Sequence, residues 1–167
     1  MTTPWLEVPM RLVPFDRSHA AHVLSWLRTP TELAHWAALV EPPTPAIFEQ
    51  WLADPTAHGR LLFSDVPVAY GELWVSESED EVELAHILVS PHHRNRSVGR
   101  KLVQLLVDEA TGFQVSTVWV RVVSENPAAI RCYSAGGFAP VPDDQQAELN
   151  ARQPRTYCWL SRHLRNT

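Results

Sequence analysis

Between Glu83 and Val103 the chain reads ELAHILVSPHHRNRSVGRKLV, and three arginines and a lysine (Arg94, Arg96, Arg100 and Lys101) crowd one turn of it. The residues Arg94-Asn95-Arg96-Ser97-Val98-Gly99-Arg100 fall where a helix should begin. A helix start carries backbone N–H groups with no intrahelical partner and a partial positive charge. Side-chain cations beside such N–H groups make a site for a phosphate or pyrophosphate. The alternative is a solvated helix start whose arginines face water. Glu83 lies six residues ahead of Val89 on the incoming strand. A carboxylate there is either a proton acceptor or a surface group beside Glu81 and Asp80.

The elements that must position these groups follow from period and punctuation. Met10 to Phe15 reads as a first strand. Asp16 or Ser18 caps a helix to about Arg28, with Ala20, Val23, Leu24 and Leu27 at helical spacing. Thr29-Pro30 starts a second helix holding Leu33, Trp36, Ala37 and, at its margin, Val40, ended by Glu41-Pro42-Pro43. Thr44-Pro45 starts a third, through Trp51 and Leu52. Arg60 to Ser64, Val68 to Ser76 and Glu81 to Val89 read as an antiparallel meander. A helix from about Val98 to Ala110 follows the basic loop, then a strand from Thr117 to Val123. Asn126-Pro127 opens another helix, closed by Gly136-Gly137. A polar segment and a last strand, about Thr156 to Ser161, complete a mixed α/β order in one domain spanning 1–167.

Composition narrows the partners. At 167 residues the chain can bury a sizeable core, and 45% apolar with 20% charged content suits a globular protein. The net charge of −5 argues against nucleic acid or an anionic membrane as partner. Four of the 14 Lys and Arg residues lie within 94–101, which suits a small anion. Cys132 and Cys158 form neither a disulfide framework nor a metal site, so no metal is expected. No leader pattern or membrane-length apolar run is seen, and a cytoplasmic protein is expected.

Two separated segments resemble the GNAT superfamily of acyl-CoA-dependent acyltransferases. Val89-Ser90-Pro91-His92-His93-Arg94-Asn95-Arg96-Ser97-Val98-Gly99-Arg100 is similar to the family's cofactor loop, V-x-P-x-x-[RQ]-G-x-G-x-[GA]. Asn126-Pro127-Ala128-Ala129-Ile130-Arg131-Cys132-Tyr133-Ser134-Ala135-Gly136-Gly137-Phe138 is similar to N-x-x-A-x-x-x-Y-x-x-x-G-F. Asn95 and Ser97 stand where that loop has glycines. The opening, with Trp26 and Trp36 in paired helices, looks more loosely like the ribosomal-protein and aminoglycoside 6′-N-acetyltransferase branch.

The resemblance implies an α+β fold, a central, mixed but mostly antiparallel sheet flanked by helices. It implies acetyl-CoA as cofactor with CoA as product, and direct attack by a primary amine in a ternary complex. In that reading Glu83 is the base, Tyr133 protonates the departing thiolate or holds the cofactor sulfur by a hydrogen bond, and the N–H groups of Arg96 to Gly99 hold the pyrophosphate. The backbone of Ile87, Leu88 and Val89 pairs with the pantetheine arm and polarises the thioester, in a slot opened by a splay from the strand 117–123. Asn126 reaches the same arm or simply caps its helix. Glu72 and His86 are reserve bases. By strict alternation His86 shares a face with Leu84 and Leu88, as a core histidine would. Trp26, Trp36 and Trp51 read as core packing. Acceptors from small amines to peptide N-termini remain open, as does a homodimer. The competing function is a CoA-binding sensor of the same fold without turnover.

Overall fold

The computed structural model describes residues 9–165. The first eight residues, on which part of the expectation about a leader rests, lie outside it. Seven strands form one sheet in the order β1-β2-β3-β4-β5-β7-β6. They are β1 (Arg11–Pro14), β2 (Ala57–Phe63), β3 (Pro67–Ser76), β4 (Glu81–Val89), β5 (Thr117–Val122), β6 (Ala139–Pro140) and β7 (Cys158–His163). Only β4 and β5 run parallel; the other neighbours are antiparallel.

Each face of the sheet carries its own helices. On one lie α4 (Val98–Ala110) and α5 (Pro127–Ala135). Val98, Leu102, Val103, Leu106, Val107 and Ala110 of α4 are buried against Leu62, Val82, Leu84 and Val120 of the sheet. Their spacing makes one apolar stripe, opposite the exposed Arg100, Lys101, Gln104 and Asp108. The other face packs α1 (Ala20–Leu24), α2 (Pro30–Ala37) and α3 (Ile47–Trp51). There Trp26, Trp36 and Phe48 meet Leu61, Tyr70 and Leu88.

Several boundaries differ from the sequence reading. The first helix is a 3-10 turn, Arg17–His19, followed by the short α1, capped as expected by Asp16. Helix α2 ends earlier than the prolines require, on a left-handed Ala38 (φ 53°), which leaves Val40 exposed. Helix α3 starts at Ile47, past the expected cap at Thr44. Strand β6 and α6 (Asp143–Asn150) were not foreseen. Helix α6 has no buried residue. Amide side chains hold it instead: Gln146 donates to the carbonyls of Val141 and Trp159 and accepts from the Trp159 N–H, and Asn150 bonds Tyr157 and Trp159. A search for apolar period cannot see such an anchor.

Among the described residues no helix is long and apolar enough to cross a membrane.

Candidate functional site

The site begins where two strands part. Strands β4 and β5 pair only at Glu81–Thr117, Val82–Val118 and Glu83–Trp119. Beyond Glu83 they share no ladder, so β4 runs on to Val89 with one edge unpaired. This is the splay that the resemblance implied.

Strand β4 is also bulged. Tyr70 opposes Leu88 and Glu72 opposes Ala85, leaving His86 and Ile87 against Gly71 alone. His86 takes a left-handed φ of 50°. A Cβ on Gly71 would stand 2.7 Å from Ile87 Cδ1, so glycine makes room for the bulge. The expected alternation therefore fails here. Leu84 faces the α4 core and Leu88 the aromatic core, and His86 joins the aromatic side.

After a 3-10 turn at Pro91–His93, the basic loop enters α4 through two left-handed residues, Asn95 (φ 57°) and Ser97 (φ 61°). These are the two positions where the cofactor loop of the resembled family has glycine. The first helical bond runs from Lys101 N–H to Ser97 O. The N–H groups of Val98, Gly99 and Arg100 have no acceptor among the described residues. They open on a trough of about 500 Å³ between the end of β4 and α5. Arg100 and, from α5, Arg131 line it, and Arg96 and Lys101 are exposed beside Arg100 in the chain. Arg94 differs from its sequence assignment. Its guanidinium turns inward, to Glu32 Oε1 (2.5 Å) and the carbonyls of Trp26 (3.3 Å) and Val89 (3.2 Å). It ties the loop to α2, and the residue still lines the trough. Donor N–H groups in a roomy, cation-rimmed trough fit a pyrophosphate-bearing cofactor.

A second cavity of about 320 Å³ adjoins the trough. Both are lined by Ile87, Asn126, Ala129 and Tyr133. Asn126 caps α5, accepting from Ala129 N–H at 3.3 Å. Tyr133 is buried, and burial pushes its hydroxyl pKa up, with Cys132 adding to the effect. The hydroxyl therefore keeps its proton across the neutral range.

The far wall of this cavity carries the charges. Glu83 accepts from Arg121 Nε at 2.6 Å and Nη2 at 3.3 Å. Burial raises its pKa, against the pull of that guanidinium. Arg121 also donates to Gln153 and lies within 5.2–5.7 Å of the Trp74, Tyr157 and Trp159 rings. Behind His86 sits Glu72, wholly buried. It accepts from Tyr70 Oη (2.7 Å) and Trp74 Nε1 (2.7 Å), and lies 3.0 Å from His86 Nδ1. Trp36 donates its Nε1–H to the His86 carbonyl at 2.7 Å.

The structure thus brings Glu83, Tyr133, Asn126, Ile87 and the reserve group His86 to one cavity. It places Leu88 in the core beneath and commits the Arg94 guanidinium to Glu32. Sequence reasoning passed over Arg121, Gln153 and Tyr157 and the hydrogen bond of Trp36. Arg121 left a trace: it shares the polar side of the alternation with Thr117 and Trp119, opposite Val118, Val120 and Val122.

Comparison with known proteins adds relatives. The profile of the Acetyltransferase (GNAT) family matches residues 20–138. A [ribosomal protein bS18]-alanine N-acetyltransferase of Escherichia coli strain K12 is 39% identical over 59 residues, 35% of this chain and 40% of that protein. The matched part is thus less than half the length of that curated relative. Aminoglycoside acetyltransferase AAC(6′)-Ib in complex with coenzyme A and kanamycin superposes with a TM-score of 0.72 at 18% identity, over 93% of this chain and 95% of that one. Spermidine N-acetyltransferase from Vibrio cholerae, in complex with CoA and spermine, gives 0.71 at 14%, over 93% and 94%.

Proposed function

Because the chain belongs to the acetyltransferase (GNAT) family, we propose that it carries the acetyl group of acetyl-CoA to a primary amine in a ternary complex. One observation carries this reading. The trough below the α4 N-terminus and the aromatic cavity meet at Ile87, Asn126, Ala129 and Tyr133, where β4 and β5 part. A cofactor entering from one side and an amine from the other would meet there.

Bound acetyl-CoA supplies a thioester carbonyl to be attacked and a thiolate to depart. The chain's own groups do the rest. The N–H groups of Val98, Gly99 and Arg100, with Arg96 and Arg100 around them, hold the pyrophosphate. The free edge of β4 from Ile87 to Val89 aligns the pantetheine arm, with Asn126 beside it. Tyr133, protonated at neutral pH, gives its proton to the departing sulfur. The cavity offers two proton acceptors for the ammonium, Glu83 and His86. Relatives named for aminoglycosides, spermidine and a ribosomal-protein alanine support an amine acceptor that is a small molecule or a peptide N-terminus.

The test is calorimetric titration with acetyl-CoA and CoA, followed by release of free CoA thiol with kanamycin, spermidine and a peptide beginning with alanine. Binding abolished by Gly99→Asp, with thiol release on one of the amines, supports the reading. Binding without turnover of any amine marks a CoA sensor instead. Absence of binding removes both.

A further inference from the structure

We propose that His86, oriented by the buried Glu72, is the group that takes the proton from the incoming ammonium. This rests on the amine-acetylating reading above and names the base within it.

The ring of His86 is held from several sides. Trp51 stacks on it with centroids 3.8 Å apart and planes 17° from parallel. Trp74 meets it edge-on at 5.4 Å, and Trp36 lies at 5.6 Å. Trp36 also fixes the backbone of the bulge through the His86 carbonyl. A left-handed histidine held by this many neighbours is a local strain that the surroundings enforce.

The polar contacts set which nitrogen is free. An ionised carboxylate has acceptor capacity only. Tyr70 Oη and Trp74 Nε1 already donate to Glu72, and His86 Nδ1 is its third partner. Nδ1 is therefore the ring nitrogen that carries hydrogen, which leaves the lone pair of the neutral ring on Nε2. Nε2 has no hydrogen-bond partner among the described residues, nor is it a buried orphan atom. His86 itself lines the cavity. A purely structural core histidine would be expected to engage both nitrogens.

Glu83 is the weaker candidate by the same geometry. Both of its oxygens are engaged by Arg121. Protonating it would break that pair inside a part-buried aromatic box. Protonating His86 makes an imidazolium against the Glu72 carboxylate, a charge pair already in hydrogen-bond contact. The step balances simply. An N–H bond of the ammonium breaks, an Nε2–H bond forms, and the amine keeps the electron pair. The other titratable or charged groups around this ring are Tyr70 and Glu72 from β3, Glu83 from β4 and Arg121 from β5, with His35 from α2, Tyr133 from α5 and Tyr157 across the cavity.

Two measurements decide it. The first is long-range ¹H–¹⁵N NMR of the imidazoles in the sequentially assigned protein. The expected spectrum of the neutral ring shows His86 with hydrogen on Nδ1 and a bare Nε2; hydrogen on Nε2 in the neutral ring overturns the proposal. The second is kcat/KM against pH for whichever of kanamycin, spermidine and the alanine peptide is acetylated. His86→Gln should lower kcat/KM by about 10²–10⁴-fold and remove the acid limb of the profile. Acetyl-CoA affinity should stay within about twofold, since the loop is untouched. Glu83→Gln should keep the acid limb. Loss of that limb in Glu83→Gln, or its survival in His86→Gln, overturns the assignment while leaving the acetyltransferase reading intact. Failure of the wild type to acetylate any of the three amines removes that reading and this proposal together. Should His86→Gln not fold, the tautomer and the Glu83→Gln profile still decide.

Discussion

Ser97 occupies a left-handed turn that only glycine enters without cost, and its hydroxyl makes no capping bond to α4. For an L-residue that conformation costs about 1–2 kcal/mol, most of all for a β-branched one. Ser97 already bears that cost, so Ser97→Val should destabilise the protein only by the extra penalty of a β-branched side chain, less than about 1–2 kcal/mol in urea denaturation, and weaken acetyl-CoA in calorimetry. Ser97→Gly relieves the strain but adds about 0.4–1 kcal/mol of unfolded-chain freedom. It should leave stability unchanged or slightly higher. If Ser97→Gly weakened the cofactor as much as Ser97→Val, the hydroxyl itself would be a ligand. At this scale the sequence told much: the basic loop lies at the start of α4 as read, and Tyr133 and Asn126, singled out by the resemblance, line the trough beside it. It could not tell that Arg94 folds inward, because Glu32, its partner, stands 62 residues away.

Among the elements, α2 does more than its length suggests. A capping box starts it: Thr29 Oγ1 accepts from Glu32 N–H, and Glu32 Oε2 accepts from Thr29 N–H. Thr29-Pro30 made that start readable. The bounds of α4 were equally plain, but its period was read through Leu105 and Glu109, whereas Val103, Val107 and Ala110 complete the buried stripe. The bulge in β4 was not, since alternation assumes an unbroken pleat and Gly71 is silent about its partner. Helix α2 steadies that bulge through Trp36. Trp36→Phe keeps a buried ring but deletes the N–H that reaches the His86 carbonyl. The expected cost is about 1 kcal/mol in stability. Acetyl-CoA affinity should be kept while kcat falls, because the bulge that presents His86 is loosened. An unchanged kcat would mean that Trp51 and Glu72 hold the ring unaided.

Over the whole molecule, the helices on one face of the sheet and the cofactor loop that leads into those on the other are joined by Glu32 and Arg94. Burial alone would raise the pKa of Glu32. The Arg28 N–H and the Arg94 guanidinium outweigh it and hold the carboxyl below its ordinary value of 4.5. A depressed carboxylate stabilises the folded state above its unfolded pKa and loses that contribution as pH falls through the folded one. The side chains are 26% and 34% exposed, so solvent screens the pair to about 0.5–1 kcal/mol. Denaturation measured from pH 7 downward should show wild type more stable than Glu32→Gln by roughly that amount above pH 5.5 or so. The gap should then close as the pH drops below the ordinary glutamate range. Because Arg94 leads straight into the trough, the same substitution should weaken acetyl-CoA at pH 7. Such an effect from α2, which lines the aromatic cavity, would mean that the cavity and the trough are mechanically one. A stability gap that persisted in acid would show that the effect of Glu32 does not depend on its charge.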